Sequence, residues 1–245
     1  MKQPEHFHCV RLRNKLTMFI CARLRVLFAS IFFSRLLTRF LFNVDVCVSP
    51  PYHCRNWDLT TLVLKKALNK YVKDNQKILE AGTGHLAILS TYLAKRKDVA
   101  ITAVDINSAF IESAAKNAES NGVCIHFLQS DLFSNVHELF DIVFFNPPYV
   151  PTELGVKNNR ELYTNSILDL VWNGGLDGCD TIKRFLAEVS HVTHKNSTIL
   201  LGVNKLFVDV SVMKKLIQEA NLALASVVSS LAIPSKVYVI RRKSE

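Results

Sequence analysis

The chain has six cysteines, Cys9, Cys21, Cys47, Cys54, Cys124 and Cys179, but no pair of them at zinc-ligand or redox spacing. That pattern excludes a disulfide framework and a cysteine metal site, and predicts reduced thiols in an intracellular protein with no metal. Long apolar runs are missing too. No stretch of ~18 uncharged apolar residues exists, which argues against a transmembrane span. There is no internal repeat and no low-complexity tract, which excludes a solenoid. Outside the first 48 residues there is little net charge. Residues 1–48 hold eight Lys/Arg against Glu5 and Asp45, a net of +6, and of the total of +9 only +3 remains for the rest. So small a charge on the main body weighs against nucleic acid as a partner.

What is present is enough for one α/β domain with a full core: 245 residues, 49% hydrophobic and 21% charged. Residues 9–43 read as a basic, apolar helical segment. Val26, Ala29, Phe33, Leu36, Leu37 and Phe40 recur on one face, with Arg25, Arg35 and Arg39 off it. Such a segment packs on the domain or lies on a membrane surface, and an Arg-rich targeting segment is the minority reading. We therefore expect a basic N-terminal segment over 1–48 and the main domain over 49–245. The expected location is cytoplasmic, with membrane association through residues 9–43 as an option.

Chemistry gathers at the ends of short apolar runs. Ile78–Ala81 reads as a strand leading into Gly82-Thr83-Gly84-His85-Leu86 and a helix to about Lys95. Glycines in such a turn let a ligand approach the backbone, and the helix start offers free N–H groups. Ile101–Asp105 is a second strand; its terminal acid, 21 positions beyond Gly84, can accept from ribose hydroxyls. Asp105 could also cap the helix Ser108–Ser120. A third strand, Cys124–Gln129, ends at Ser130-Asp131-Leu132-Phe133. A fourth, Asp141–Phe145, is stopped by Asn146-Pro147-Pro148-Tyr149, because the prolines remove backbone donors. Ahead of these, Asp58 or Thr60 is placed to cap a helix over Leu62–Leu68. A polar segment follows to Asp169, then a Gly174-Gly175-x-x-Gly178 turn and a helix Cys179–Val189. Strand Thr198–Val203, helix Val210–Ala220 and strands Ala225–Leu231 and Lys236–Arg241 complete the sheet.

The Asn146–Tyr149 tip suits methyl transfer to a planar nitrogen. An amide or exocyclic amine has its lone pair delocalised, and its two N–H groups need two acceptors. Asn146 Oδ1 and the Pro147 carbonyl can supply them, and Tyr149 offers a flat apolar face.

The ordered series over residues 78–151 resembles the class I S-adenosylmethionine-dependent N-methyltransferases with an Asn-Pro-Pro-Tyr motif. The Gly-Gly-x-x-Gly stretch that follows is similar to that of the release-factor glutamine methyltransferases (HemK-like). The resemblance implies a Rossmann-like seven-stranded methyltransferase domain, a mostly parallel sheet with helices on both faces. It implies S-adenosyl-L-methionine as cofactor, held by Glu80, Gly82, Thr83, Gly84, Asp105, Ile106, Asp131, Leu132 and Asn146, with Asp131 receiving the adenine amine. It implies Asn146, Pro147 and Tyr149 as catalytic residues, and as partner a protein with an exposed glutamine, such as a release factor. An acidic-Thr pair that touches the cofactor in that family is loosely matched by Asp58 and Thr61. Leu86 departs from the family's third glycine. The alternatives are N6-adenine methylation of DNA or RNA, small-molecule N-methylation, and a non-catalytic partner subunit that keeps the fold. The oligomeric state is not legible.

Overall fold

In a computed structural model, residues 35–46, 57–159 and 171–243 are described. The Arg25–Phe33 part of the expected N-terminal helix, the link 47–56 and the polar segment 160–170 lie outside them. The described chain runs α1 (Arg35–Phe42), α2 (Leu59–Tyr71), β1 (Gln76–Ala81), α3 (Ile88–Ala94), β2 (Val99–Asp105), α4 (Ser108–Ser120), β3 (His126–Gln129) and β4 (Phe140–Phe145). It continues with α5 (Thr152–Asn159), α6 (Asp180–Glu188), β5 (Thr193–Asn204), α7 (Val210–Glu219), β6 (Leu222–Ser229) and β7 (Ser235–Arg242).

The seven strands form one sheet in the order β3-β2-β1-β4-β5-β7-β6. Strands β1 to β5 pair in parallel, and β7 runs antiparallel between β5 and β6. Strand order reverses between β1 and β4, which is where an open α/β sheet forms a crevice. Register brings the strand tips level. Ala81 pairs with both Val104 and Phe145, and Asp105 with Gln129. The next residues along, Gly82, Ile106, Asn146 and Ser130, therefore leave the sheet at one edge.

Alternation along the strands builds two cores. Leu79, Val143, Phe145 and Leu201 face one side, where Phe185 and Leu186 of α6 and Met213 of α7 cover them. Ile78, Ile142, Phe144 and Leu200 face the other, under Val63, Leu64 and Leu68 of α2 and Leu89 and Leu93 of α3. Parallel strands covered on both faces must be apolar at every position, which is why they stood out as short runs.

Three differences from the sequence reading have physical causes. In α1 the buried residues are Thr38 and Phe42, and Leu37 is partly buried against the same core, while Leu36 and Phe40 are 79% and 84% exposed, so only the Leu37 edge of the expected stripe packs. Phe42 packs edge-on against Trp57 and Tyr92, and Trp57 Nε1 donates to Thr38 Oγ1 at 3.0 Å. Those two contacts choose the inward face. The polar stretch after Asn146–Tyr149 begins as a helix, α5. Strand β6 ends at Ser229 rather than Leu231, because Ser230 and Leu231 belong to the turn into β7 and Leu231 is fully exposed. Among the described residues no helix is long and apolar enough to cross a membrane.

Candidate active site

The β1 tip carries Glu80, buried on the sheet beside the turn it organises. Its Oε2 accepts from Thr83 Oγ1 at 2.8 Å and from Ser90 Oγ at the start of α3. Burial pushes the Glu80 carboxyl up from 4.5 to about 7, against the pull of these hydrogen bonds. Gly82 turns at φ +60°, and a Cβ there would lie 2.5 Å from the Phe145 ring. Gly84 turns at φ +63°, but a Cβ on it would meet nothing within 4 Å. The first glycine is required by the protein itself. The second opens onto empty space, as a backbone approached by a ligand would. Leu86, the departure from a third glycine, is buried in the core under α2 and α3.

Asp105 is held across this turn. Its Oδ2 accepts from Gly84 N at 2.9 Å and its Oδ1 from Asn107 N at 3.0 Å. Burial raises its pKa, and the backbone donors of Asn107 and Gly84 act against that. Each carboxylate oxygen can accept twice, so capacity remains on both. Asp105 is not the cap of α4; Asn107 is, accepting from Ala109 N. The neighbouring Ile106 lines the cavity and is 46% exposed.

At the β3 tip, Asp131 is ion-paired with Arg184 of α6, Nη2 to Oδ2 2.9 Å, both about half exposed. The pair sits on the cavity wall with Leu132, which adopts φ +47°. Asp131 is therefore engaged by Arg184 where an adenine amine was expected.

Asn146 sits at the β4 tip. Its Nδ2 donates to Asp58 Oδ1 at 3.1 Å, and its Oδ1 is buried with no hydrogen-bond partner. Tyr149, with a ring expected to offer a face to the substrate, is 6% exposed, and Asn146 and Pro148 line the cavity beside it. Its ring packs against Phe207 with centroids 6.0 Å apart, and its hydroxyl donates to Asp58 Oδ2. Burial, then the Asp58 charge, push the phenol well above its usual range. The hydroxyl has two partners inside the protein, Asp58 and Thr60 Oγ1, the latter 2.7 Å from the Tyr149 oxygen. Pro147 is buried.

All these tips open into one cavity of about 250 Å³. The segment after β4 closes one wall. Val150 N donates to Trp172 O and Gly174 N to Val150 O, each at 2.9 Å, which brings Val171 and Asn173 to the cavity. Trp57, Asn173 and Arg184 line the site without having been expected there. Trp57 adjoins the Asp58 cap and could have been found from it; Arg184 carries no local signal.

The description "Methyltransferase small domain" matches residues 44–201, well over half of the sequence. The chain belongs to that family. A Methanocaldococcus jannaschii protein provisionally named a protein N5-glutamine methyltransferase is 37% identical over 125 residues, 51% of this chain and 60% of that protein. The release factor glutamine methyltransferase of Lactococcus lactis is 36% identical over 91 residues, 37% of this chain and 34% of the relative. The chain thus spans between a third and three fifths of these curated relatives. A methyltransferase structure from Pyrococcus furiosus superposes with a TM-score of 0.62 at 17% identity, covering 91% of this chain and 98% of that one, a likeness of fold.

S-adenosyl-L-methionine is the methyl donor that the sequence resemblance implies, and the residues present fit it. The fit rests on the open space over Gly84 and the remaining acceptor capacity of Asp105 in the same cavity. A carboxyl pair, Glu80 and Asp105, lines the same cavity.

Proposed function

We propose that this chain methylates the side-chain amide nitrogen of a glutamine in a protein substrate. One observation carries the reading. A buried carbonyl oxygen, Asn146 Oδ1, keeps unused acceptor capacity on a residue that lines the cavity. A buried acceptor left without a partner costs about 1–3 kcal/mol, so a donor belongs there. The curated relatives named as glutamine methyltransferases support the same substrate class. The small net charge outside residues 1–48 favours a protein acceptor over DNA or RNA.

When bound, S-adenosyl-L-methionine supplies an electrophilic methyl group on a positively charged sulfur. Asp105 holds the ribose hydroxyls, and Asp131, released from Arg184, takes the adenine amine. Glu80 fixes the Gly82–Gly84 turn through Thr83 and Ser90. Asn146 Oδ1 accepts one N–H of the substrate amide and the Pro147 carbonyl the other. With both hydrogens held, the amide plane is fixed and its nitrogen presents its face to the methyl group. The donor would give up its methyl group and keep the electron pair of the broken bond on sulfur, so the leaving group would need no proton from the protein. The nitrogen becomes acidic and sheds one proton to solvent, so no dedicated base is required. The two acceptors gain strength as positive charge develops on nitrogen, which lowers the barrier rather than merely tightening binding. The catalytic domain takes in α1 as well as the expected residues 49–245, since Phe42, Val44 and Val46 are buried in its core, and the enzyme acts in the cytoplasm on an acceptor of the release-factor type.

Labelled methyl transfer into cell extract, with the product sorted into protein, nucleic acid and small molecules, tests this. Label in protein, recovered as N5-methylglutamine, is expected. Label in nucleic acid with none in protein would overturn it.

A further inference from the structure

We propose that Asp58, 88 positions before Asn146, is a positioning residue that sets which way the Asn146 amide faces; this rests on the glutamine-methylating reading above. The amide of an asparagine rotates about a broad, two-fold torsion, so the backbone alone does not decide whether O or N points into the cavity. Asp58 decides it. A carboxylate only accepts, so Asp58 Oδ1 demands the Nδ2 side of Asn146 and leaves Oδ1, buried and unpartnered, as the acceptor that remains for the substrate. With the amide rotated, two oxygens would face each other and an N–H would meet the substrate's N–H.

The carboxylate is itself held at both ends. Oδ1 also takes Thr61 N at 3.1 Å and Thr61 Oγ1 at 3.2 Å, the first turn of α2. Oδ2 takes the Tyr149 hydroxyl. That hydroxyl continues to Thr60 Oγ1, which lies 2.8 Å from Ser235 Oγ at the start of β7. Residues from α2, the β4 tip and β7 therefore clamp one carboxylate, and through it one amide. This gives Tyr149 a task that its burial denies it as a stacking surface.

The competing role is plain helix capping, since Asp58 is the N-cap of α2. Asp58→Ser separates the two. Serine caps a helix about as well as aspartate, but its single short hydroxyl does not span Asn146 and Tyr149. We expect turnover on a glutamine peptide to fall by ~10²–10³, as for loss of a transition-state hydrogen bond, with affinity for S-adenosylhomocysteine and KM little changed. Asp58→Asn keeps the length and an acceptor oxygen and should restore much of the turnover. Tyr149→Phe loosens the clamp without touching the cap, and should lower turnover by about tenfold, the loss expected for one hydrogen bond to a charged group. Side-chain amide exchange of Asn146, followed by nitrogen-15 NMR on the ligand-free protein, should accelerate in the serine and phenylalanine variants. Wild-type turnover in Asp58→Ser, or unaltered Asn146 exchange in both variants, overturns the proposal. If the wild type methylates no glutamine, the functional reading fails by itself, and the exchange measurement still decides the role of Asp58.

Discussion

Glu80 shows how far a single site residue departs from its behaviour in water. Its carboxyl is pushed up to about 7 because burial outweighs the two hydroxyl donors. Between 4.5 and 7 the folded state keeps a proton that the unfolded state has lost, so stability falls as pH rises through that window and levels off above it. The loss amounts to about 3 kcal/mol for a shift of this size. Asp105, also raised by burial, adds to the slope in the same direction. Glu80→Gln keeps an oxygen for Thr83 and Ser90 and removes the charge. Urea unfolding at about pH 5 and about pH 7.5 should show the wild type losing more stability than the variant, which keeps only the smaller Asp105 slope. Equal slopes would mean that Glu80 ionises freely in the fold. At this scale the sequence was informative where a residue's partner is the turn it sits in. Glu80, Gly82, Gly84 and Asp105 all lie at strand tips within one strand-turn-helix unit or its neighbour. It was uninformative where the partner is distant, as with Tyr149, whose hydroxyl is claimed by a carboxylate 91 positions away.

Among the elements, α1 shows what periodicity cannot resolve. A helix with two apolar stripes can bury either one. The Leu36–Phe40 stripe is as regular as the one containing Phe42, and what selects the latter is tertiary: the Trp57 indole over Phe42 and its N–H on Thr38. Phe42 is fully buried, so Phe42→Ala should cost about 3–5 kcal/mol, while Phe40→Ala, at 84% exposure, should stay within about 0.5 kcal/mol. Urea midpoints of the two variants check this, and equal losses would place both faces of α1 in contact with the protein. The strands were legible for the opposite reason. A parallel strand buried on both faces has no choice of stripe, so β1, β2, β4 and the core of β5 appear as short apolar runs with their ends nearly in place. α5 was missed because its glycine and adjacent asparagines are poor helix formers, and its first turn is held by contacts made elsewhere, Thr152 N on Gly175 O and Thr152 Oγ1 on Asn173 Oδ1.

Across the whole molecule, the fold works by levelling strand tips. Parallel register brings the Gly82–Gly84 turn, Asp105, Asp131 and Asn146 to one edge at the point where strand order reverses. Their order along the chain could be read from the sequence, and so could the architecture. The pairings Asp58–Asn146 and Asp131–Arg184 join residues 88 and 53 positions apart across different layers. No local pattern encodes them. The first of them is the contact proposed above to orient the Asn146 amide. The account therefore stands or falls on Asn146. The most direct test is single-turnover methylation of a glutamine peptide by Asn146→Ala, with S-adenosylhomocysteine affinity and melting temperature measured on the same preparation. Loss of the acceptor should cut turnover by ~10²–10³ while affinity and melting temperature stay near wild type. Near-normal turnover, or a fall in turnover matched by equal losses of affinity and stability, would contradict it.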